Sequence, residues 1–398
     1  MKLAQRITQI KPSATLTINA KAQDLRAQGR AIVSLAVGEP DFPTPEHVCQ
    51  AAQRAICEGF TRYTAVPGIP ELREAVCGYF HSFYNVTSTM NNVIVTNGGK
   101  QSLYNILQVL LDPGDEVIIP APYWVSYPAL VQLADGISIV VPTEPGAYFL
   151  ATVEQLEAAR TTRTRCLILN TPSNPTGCHY SSDQLDAIAA WAVKHNIFVI
   201  SDEIYDRLVY DPAHPESLSP WWERYPEHFA IVNGLAKSFA MTGWRVGYTL
   251  AHHDLIKAMS KIQGQSTSNI CSVAQKAALA ALTGGWEYLE HMRKAFRRRR
   301  DISLAMVRSW ENVCCPEPTG AFYLFPQVDA YYTPQVPDST ALCAFLLEEA
   351  GVALVPGAAF GDDRCLRISY ALEDSTLVSA LEKIGQALHG LKNEKSCF

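Results

Sequence analysis

The stretch Ile197–Tyr205, with the sequence IFVISDEIY, decides the fold. Its first half is a short apolar run, and Asp202 follows that run directly. A continuous apolar run, rather than an alternating one, is typical of a strand that is buried on both faces of a sheet. Open α/β sheets bind their ligands at the carboxyl ends of such strands. The stretch therefore predicts a buried strand over Ile197–Ser201 with the Asp202 carboxylate at the binding edge.

Six further runs of this kind occur along the chain. Each is short and bounded by Gly, Pro, Asn or Asp, and they cover Val93–Thr96, Glu116–Pro120, Ile137–Pro142, Cys166–Asn170, Phe229–Asn233 and Arg245–Leu250. Helical stretches alternate with them, among them Lys100–Leu111 and Ser182–Lys194, which opens with capping candidates. We expect an α/β fold in which a mostly parallel, seven-stranded sheet lies between helices.

The pattern of apolar and polar residues changes near Trp286. Beyond it we expect a long polar helix over Glu287–Ser309, a strand-like segment over Gly320–Phe325 and a final helix from Ser375 to about Leu391. The pattern predicts a large domain formed by residues 45–285 and a smaller α+β domain. The smaller domain would combine residues 286–398 with the N-terminal arm, residues 1–44.

The long polar helix carries four consecutive arginines, Arg297–Arg300. Such a run could bind an anion. Consecutive residues, however, point to all sides of a helix, so we interpret the run as a solvated face.

Composition and charge exclude several classes of function. The 398 residues have a formal net charge of −6, which argues against nucleic acid or an anionic membrane as the main partner. No stretch approaches the about 20 apolar residues of a membrane span, and the chain starts without an apolar signal region. The 11 cysteines show no metal-binding spacing, so no metal is expected. A cytoplasmic enzyme is the expectation.

A lysine follows another of the expected strands, in the segment Asn233–Gly247, NGLAKSFAMTGWRVG. Lys237 lies there in a small-residue, apolar loop, where desolvation would disfavour its ammonium form and make it a nucleophile for a carbonyl cofactor. Arg245 follows eight residues later and suits a phosphate. Taken singly, the two residues could equally be a salt-bridged core lysine and a surface arginine.

Two more turns lie at expected strand ends. One is Asn170–Gly177, NTPSNPTG, and the other is Gly98-Gly99-Lys100, where a strand gives way to a helix with free N–H donors. Each could also be an ordinary turn. Asp202 by itself could cap a helix, and metal ligation is a further alternative.

These motifs together resemble the class I aminotransferases of fold type I. Asn174-Pro-Thr-Gly177, Ser201–Tyr205 and Ala236-Lys237 with Gly243-Trp-Arg245 occur in that family's order and spacing, and the similarity covers essentially the whole chain. The segment Lys11–Thr15, KPSAT, makes it closest to the bacterial aspartate and prephenate aminotransferase branch. The resemblance implies a homodimeric, pyridoxal-phosphate-dependent transaminase that acts on amino acids and 2-oxo acids.

The resemblance also implies a role for each cofactor-binding residue. Lys237 would hold the cofactor as a Schiff base and shuttle the substrate proton, and Asp202 would pair with the pyridinium N–H. Tyr205 and Asn174 would hydrogen-bond the phenolic oxygen. The other contacts would come from the phosphate-binding Gly98, Gly99, Lys100 and Arg245, from Trp124 stacking on the ring, and from Tyr63 reaching the phosphate of the neighbouring subunit.

Substrate recognition is implied in the same way. Arg367 would clamp the α-carboxylate, with Asn174 and Trp124 beside it, and Gly38 lies in the loop that closes over the substrate. Lys100 would reach the distal carboxylate of aspartate or glutamate. Lys11 would help to hold prephenate, or is simply a solvated lysine.

One position departs from the family pattern. Many members carry Ser where this chain has Gly234, so the phosphate would lose one hydroxyl donor.

Three alternative functions stay open. They are an aminotransferase for aromatic or other amino acids, a carbon–sulfur lyase, and the ligand-sensing domain of a transcription regulator. A lyase would share Lys237, Asp202 and Arg367 but has no need of Lys100. A regulator would carry an added DNA-binding domain, and a match that begins by residue 11 leaves no room for one.

Overall fold

The computed structural model describes residues 1, 3–4, 7–8, 10, 14–210 and 216–395. Its strands, in chain order, are β1 (Val33–Ser34), β2 (Val93–Thr96), β3 (Glu116–Ala121), β4 (Ile137–Pro142), β5 (Thr164–Asn170), β6 (Phe198–Asp202), β7 (Phe229–Gly234), β8 (Gly247–Ala251), β9 (Tyr323–Leu324), β10 (Val352–Ala353), β11 (Val355–Pro356) and β12 (Leu366–Ser369).

The helices, in chain order, are α1 (Ala14–Ala27), α2 (Glu46–Cys57), α3 (Pro70–Tyr84), α4 (Gly99–Leu110), α5 (Tyr127–Leu133), α6 (Val153–Ala159), α7 (Ser182–Lys194), α8 (Ser219–Arg224), α9 (His253–Ser266), α10 (Ser272–Thr283), α11 (Glu287–Arg308), α12 (Ser339–Glu349) and α13 (Asp374–Lys395). In the described ranges, no helix is both long and apolar enough to cross a bilayer.

Seven strands form the central sheet in the order β2-β8-β7-β6-β5-β3-β4. Strand β8 runs antiparallel to both neighbours, and the remaining pairs are parallel. The predicted fold class is therefore confirmed. The expected strand over Arg245–Leu250 begins two residues later, at Gly247. Its bounds were wrong because Arg245 has φ 56°, a left-handed conformation that no extended strand accommodates.

Alternate residues of the central strands fill two separate cores, one on each face of the sheet. Val199 on β6 and Leu167 on β5 belong to one apolar cluster, whereas Ile200 and Ile168 belong to the other. Successive side chains of a strand point to opposite faces, so burial of both faces requires an unbroken apolar run. This explains why these strand-forming runs are apolar throughout and do not alternate between apolar and polar residues.

A smaller unit is built from the antiparallel sheet β11-β12-β9 and the long helices α11 and α13, which pack on a third apolar cluster. The strand-like segment Gly320–Phe325 is extended only at Tyr323–Leu324, because Ala321 has φ 53°. Trp286 packs against both the large and the small cores. From this packing we propose the division into residues 45–285 and residues 286–398 with the arm.

The four arginines of α11 do not form one solvated face. Arg297 and Arg298 are exposed, but Arg299 and Arg300 are buried. Arg300 donates to the Pro318 carbonyl at 2.7 Å and pairs with a glutamate, and Arg299 pairs with two aspartates. The sequence-based interpretation was wrong for these two residues, because their partners come from distant segments.

Gly247 opens β8 where this strand meets the turn at Gly98-Gly99. A Cβ atom at Gly247 would lie 2.4 Å from the Gly98 carbonyl carbon and 2.4 Å from the Gly99 nitrogen. Because these are backbone atoms, they cannot give way without moving the turn. We expect Gly247→Ala to lower the free energy of unfolding by about 1–3 kcal/mol in urea denaturation.

The matched control is Gly78→Ala. Gly78 lies on α3, and apart from its chain neighbours and the backbone of its own helix, no described atom lies within 4 Å of the Cβ that it would gain. Alanine there should raise the free energy of unfolding by about 0.5–1 kcal/mol through its better helix propensity. A Gly247→Ala protein as stable as the wild type would contradict the steric argument.

Candidate active site

A cavity of about 460 Å³ opens at the carboxyl edge of the central sheet. Strand β5 ends there with Asn170, and its neighbour β6 ends beside it with Asp202. The next strand, β7, leads into the loop that carries Lys237. Neighbouring parallel strands end at one edge of a sheet, so residues far apart in the sequence meet in this cavity.

The cavity contains most of the residues predicted from the sequence. Its lining includes Gly38, Gly98, Gly99, Lys100, Trp124, Asn174, Asp202, Tyr205, Lys237, Arg245 and Arg367. Tyr63 is not among them, and 92% of its surface is exposed. Lys11 lies outside the described residues.

Asp202 is a buried carboxylate with two donors. The Tyr127 hydroxyl donates to its Oδ2 at 2.7 Å, and the Ile204 backbone N–H donates to its Oδ1 at 3.3 Å. Burial raises the pKa of Asp202 to about 6, and these hydrogen bonds oppose the shift. Tyr127 was missed at the sequence level, although its place just after β3, at the start of α5, was a signal for the same edge of the sheet.

Lys237 is partly buried beside the carboxyl edge of β7. Its ammonium donates to the Gly38 carbonyl and lies 5.7 Å from the centre of the Tyr205 ring. Burial, and next the positive charge of Arg367, lower the pKa of Lys237 to about 8. A large neutral fraction at mildly alkaline pH makes this amine both a nucleophile and a base.

A candidate anion site lies where β2 leads into α4. Helix α4 begins at Gly99, and a Cβ on the preceding Gly98 would lie 2.5 Å from Arg245 Nη2. Arg245 is held by its Nη1, which donates to the Thr242 carbonyl at 2.7 Å. The free N–H groups of a helix start and a fixed guanidinium therefore share one small space, which suits a phosphate.

Gly234, the departure from the family pattern, has no room for a side chain. A Cβ there would lie 2.8 Å from the Val246 carbonyl oxygen and 2.9 Å from the Gly247 Cα. The close approach of β8 thus excludes serine from this position. Within this chain, Arg245 and the start of α4 remain available to a phosphate at this edge.

Arg367 is a buried cation whose two hydrogen-bond partners are neutral oxygens. Nη1 donates to Asn174 Oδ1 at 3.0 Å and Nη2 donates to the Ala36 carbonyl at 2.6 Å. Its Nε has no hydrogen-bond partner in the described part of the chain. A buried charge without an opposite charge is costly, and an incoming carboxylate would offset this cost.

Tyr323 links the Lys237 side of the cavity to the Arg367 side. Its hydroxyl lies 2.8 Å from the Tyr205 hydroxyl, and its ring centre is 4.7 Å from the Arg367 guanidinium. A Cβ on Gly38 would lie 2.9 Å from the Tyr323 hydroxyl, so any larger residue here would have to displace that hydroxyl. The sequence offered no sign of this residue's place beyond an aromatic strand.

Lys100 supplies a further cation at the cavity, near Trp124. Its ammonium lies 4.9 Å from the centre of the Trp124 ring. Burial, and next the charge of Arg245, lower the pKa of Lys100. Trp124 also contacts Tyr127 edge-on, with ring centres 5.4 Å apart, so its ring plane is fixed.

The metal alternative at Asp202 is not supported by a ligand cluster at this edge. Among the described residues, the side chains that could hold an ion together are His252, His253 and Asp254. They follow Ala251, which pairs with Ala230 at the opposite edge of the sheet.

The donor set of the cavity matches one kind of group. It offers an amine for an aldehyde, a buried carboxylate for a protonated ring nitrogen, and a glycine cradle with an arginine for a phosphate. A side chain added at Gly98 or at Gly247 would clash with the atoms around this cradle. These residues fit pyridoxal phosphate.

Comparison with known proteins agrees with this geometry. The family model for aminotransferase class I and II matches residues 30–384. An aspartate/prephenate aminotransferase of Cereibacter sphaeroides is 45% identical, with 98% of this chain and 99% of that relative covered. An asparagine–oxo-acid transaminase of Streptococcus mutans is 42% identical over 96% of this chain and 98% of that relative.

The fold is shared with solved structures as well. The structure of aspartate aminotransferase from Thermus thermophilus with maleate matches with a TM-score of 0.92 at 43% identity and covers 97% of this chain and 100% of its own. The resemblance seen in the sequence is thereby confirmed. The chain belongs to the class I and II aminotransferases, a family of pyridoxal-phosphate-dependent transaminases.

Proposed function

We propose that this protein exchanges amino groups between dicarboxylic amino acids and 2-oxo acids. The reaction is a ping-pong exchange in which aspartate and 2-oxoglutarate give oxaloacetate and glutamate. One observation carries the proposal: a single cavity holds Lys237 together with two substrate-facing cations, the buried Arg367 and, near Trp124, Lys100. Two cations suit a substrate with two carboxylates.

When bound, pyridoxal phosphate supplies an electron sink for the charge left when an amino acid loses its Cα proton. Lys237 would hold the cofactor covalently until the amino group of the substrate displaces it, and its freed amine would then move the proton from the substrate's Cα to the cofactor's C4′ atom. A pKa of about 8 suits a general base at physiological pH. Asp202 keeps the ring nitrogen protonated, and Tyr127 orients Asp202 through its 2.7 Å hydrogen bond.

The positions of the side chains support the remaining cofactor contacts. Gly98, Gly99 and Arg245 would bind the phosphate, and the Trp124 ring would stack on the cofactor. Tyr205 and Asn174 hydrogen-bond its phenolic oxygen. Tyr323 holds the Tyr205 hydroxyl in place from 2.8 Å.

Substrate binding is divided between two cations. Arg367 takes the α-carboxylate, and its free Nε and its neutral partners leave it able to bind an anion. Lys100 takes the distal carboxylate. The Thermus thermophilus relative was solved with maleate, which is a dicarboxylate, and this supports the assignment.

Prephenate is the second candidate acceptor. Its support is that the Cereibacter sphaeroides relative is named as an aspartate/prephenate aminotransferase. The contribution of Lys11 stays a prediction from the sequence, because this residue lies outside the described ones.

We further propose that the enzyme works as a cytoplasmic homodimer with shared active sites. The exposed Tyr63 lies outside the cavity of its own chain, which suits a residue that reaches the phosphate in the neighbouring subunit. Each active site would then need both chains.

The lysine pKa predicts how the apoprotein takes up its cofactor. Only the neutral amine attacks an aldehyde, so the capture rate should rise as the pH passes through about 8 and then level off. An ordinary lysine would keep gaining rate up to a pH of about 10.4. Stopped-flow absorbance of apoprotein mixed with pyridoxal phosphate measures this midpoint.

Arg367→Gln provides the control for this pH profile. Loss of the neighbouring positive charge should raise the pKa of Lys237 and move the midpoint to higher pH. Lys237→Ala should retain no cofactor after borohydride treatment. A midpoint near the ordinary lysine value, or cofactor fixed in Lys237→Ala, would show that this lysine has been misassigned.

Half-reactions test the substrate assignment. Aspartate and glutamate, each mixed alone with the holoenzyme, should convert its chromophore to the pyridoxamine form. Lys100→Gln should lower kcat/KM for aspartate by roughly ten- to hundredfold through loss of a charge-assisted hydrogen bond, and should leave alanine within about threefold. Lys100→Arg, which keeps the charge, should retain more of the aspartate activity.

Other substrates in the same assay separate the alternatives. Amination of prephenate by the pyridoxamine form would establish the second activity. Thiol release from a thioether amino acid, with no pyridoxamine formed, would indicate a lyase. If neither aspartate nor glutamate converts the chromophore, the dicarboxylate assignment fails.

Subunit mixing tests the shared site. The Tyr63→Phe homodimer should bind the cofactor weakly. The Lys237→Ala homodimer should be inactive. In a mixed dimer, one site carries both changes and the other carries neither, so activity should return at about half the wild-type value per dimer. Mixtures that show only the summed activity of the parents would mean that Tyr63 acts within its own chain or not at all.

A further inference from the structure

The segment Ala36–Thr44, here called the strap, crosses the active site. Its backbone carbonyls accept hydrogen bonds from both main cations of the cavity: Ala36 from Arg367 at 2.6 Å and Gly38 from Lys237. Further along, Glu39 accepts from the Thr242 hydroxyl at 2.7 Å. The strap thus contacts both groups that would act on an amino acid.

Arg299 holds the strap from the outside. Its Nη1 and Nη2 donate to the two carboxylate oxygens of Asp41, at 2.7 and 2.9 Å. Its Nε donates to Asp374 at 2.9 Å. The Arg299 side chain is only 8% exposed, so all three of its donor groups serve as a fixed fork between two carboxylates.

The two carboxylates belong to the two segments that carry substrate-contacting residues. Asp41 lies three residues after Gly38 on the strap, and Asp374 lies seven residues after Arg367, at the start of α13. Arg299 therefore joins the segment above the cavity to the segment that carries the carboxylate-binding arginine.

Aromatic packing reinforces this junction. The Phe42 ring of the strap meets the Phe296 ring of α11 edge-on, with centres 5.5 Å apart. The Arg299 guanidinium lies 5.5 Å from the centre of the Phe42 ring. Because the fork is planar and stacked, lysine could replace its charge but not its geometry.

We propose that Arg299 is a positioning residue for the substrate's α-carboxylate, which it serves by tying the strap at Asp41 to the Arg367 segment at Asp374. This inference rests on the proposed aminotransferase function. Arg299 touches neither the cofactor site nor the reacting atoms. It sets where Gly38 and Ala36 stand relative to Arg367.

A positioning role predicts a particular kinetic signature. Asp41→Asn and Arg299→Gln should raise KM by roughly ten- to hundredfold, since a weakened charge-assisted contact to the α-carboxylate lowers binding equally in the ground state and the transition state. The turnover number and the affinity for pyridoxal phosphate should stay within about threefold of the wild type. The rise should be equal for aspartate, glutamate and alanine, because all three share the α-carboxylate.

Arg298→Gln is the matched control. Arg298 precedes Arg299 on α11, and its Nε donates to the same Asp374 at 2.8 Å. Unlike Arg299, its side chain is 59% exposed, and its ion pair joins it to Asp374 and not to the strap. Its KM should stay within about twofold of the wild type. The double variant Asp41→Asn/Arg299→Gln should raise KM no further than the larger single change, because both remove one tether.

Asp41→Asn keeps the test valid if Arg299→Gln fails to fold, because it leaves the Arg299–Asp374 pair intact. Hydrogen exchange of the strap amides in the holoenzyme is the second readout, and it should speed up in the tether variants and not in Arg298→Gln. Faster exchange with an unchanged KM, or a KM effect limited to one amino acid, would overturn the positioning role.

The exchange measurement also separates this inference from the proposed function. If the wild-type holoenzyme converts no amino acid, the aminotransferase assignment fails by itself. Strap amides that exchange at the wild-type rate in Asp41→Asn would overturn the tether whatever the enzyme's substrate is.

Discussion

The active site depends on three neighbouring parallel strands that end at one edge of the sheet. The register pairs Asn170 with Asp202, and Asp202 with Val232 on the strand that leads to Lys237. Local burial of both sheet faces holds these strands in place, since alternate side chains fill separate cores. The sheet therefore sets where the Asp202 carboxylate stands and where the loop that carries Lys237 begins, and that loop completes the placement of the amine.

Burial then makes these groups chemically useful. Desolvation raises the pKa of Asp202 to about 6 and lowers that of Lys237 to about 8. Each shift moves the group toward its neutral form, as expected where water is excluded. Tyr127 opposes the shift at the acid, and Arg367 adds to the shift at the lysine. In the described part of the chain, the buried Arg367 has only neutral oxygens as hydrogen-bond partners, which prepares the cavity for an anion.

Close backbone approach is the second requirement of the site. Gly98 lies against Arg245, Gly247 against the start of α4, and Gly38 against Tyr323. In each case a single added carbon would meet an atom within 3 Å. Gly234 is under the same constraint, and the phosphate would therefore lack the hydroxyl donor that a serine supplies at this position. These glycines are therefore explained by contacts across the fold, which no local sequence pattern shows.

The sequence by itself predicted the seven strands of the central sheet and some of the helices between them, and its resemblance to a known family indicated many of the residues that line the cavity. It could do so because an apolar run and the polar residue at its end, such as Asp202, are neighbours in the chain. Only the tertiary structure revealed the contacts of Tyr127 with Asp202 and of Tyr323 with Tyr205, and the burial of Arg299. The ion pair between Asp41 and Arg299 joins residues 258 positions apart. Packing decides such contacts, so no local pattern could show that part of an arginine run is buried.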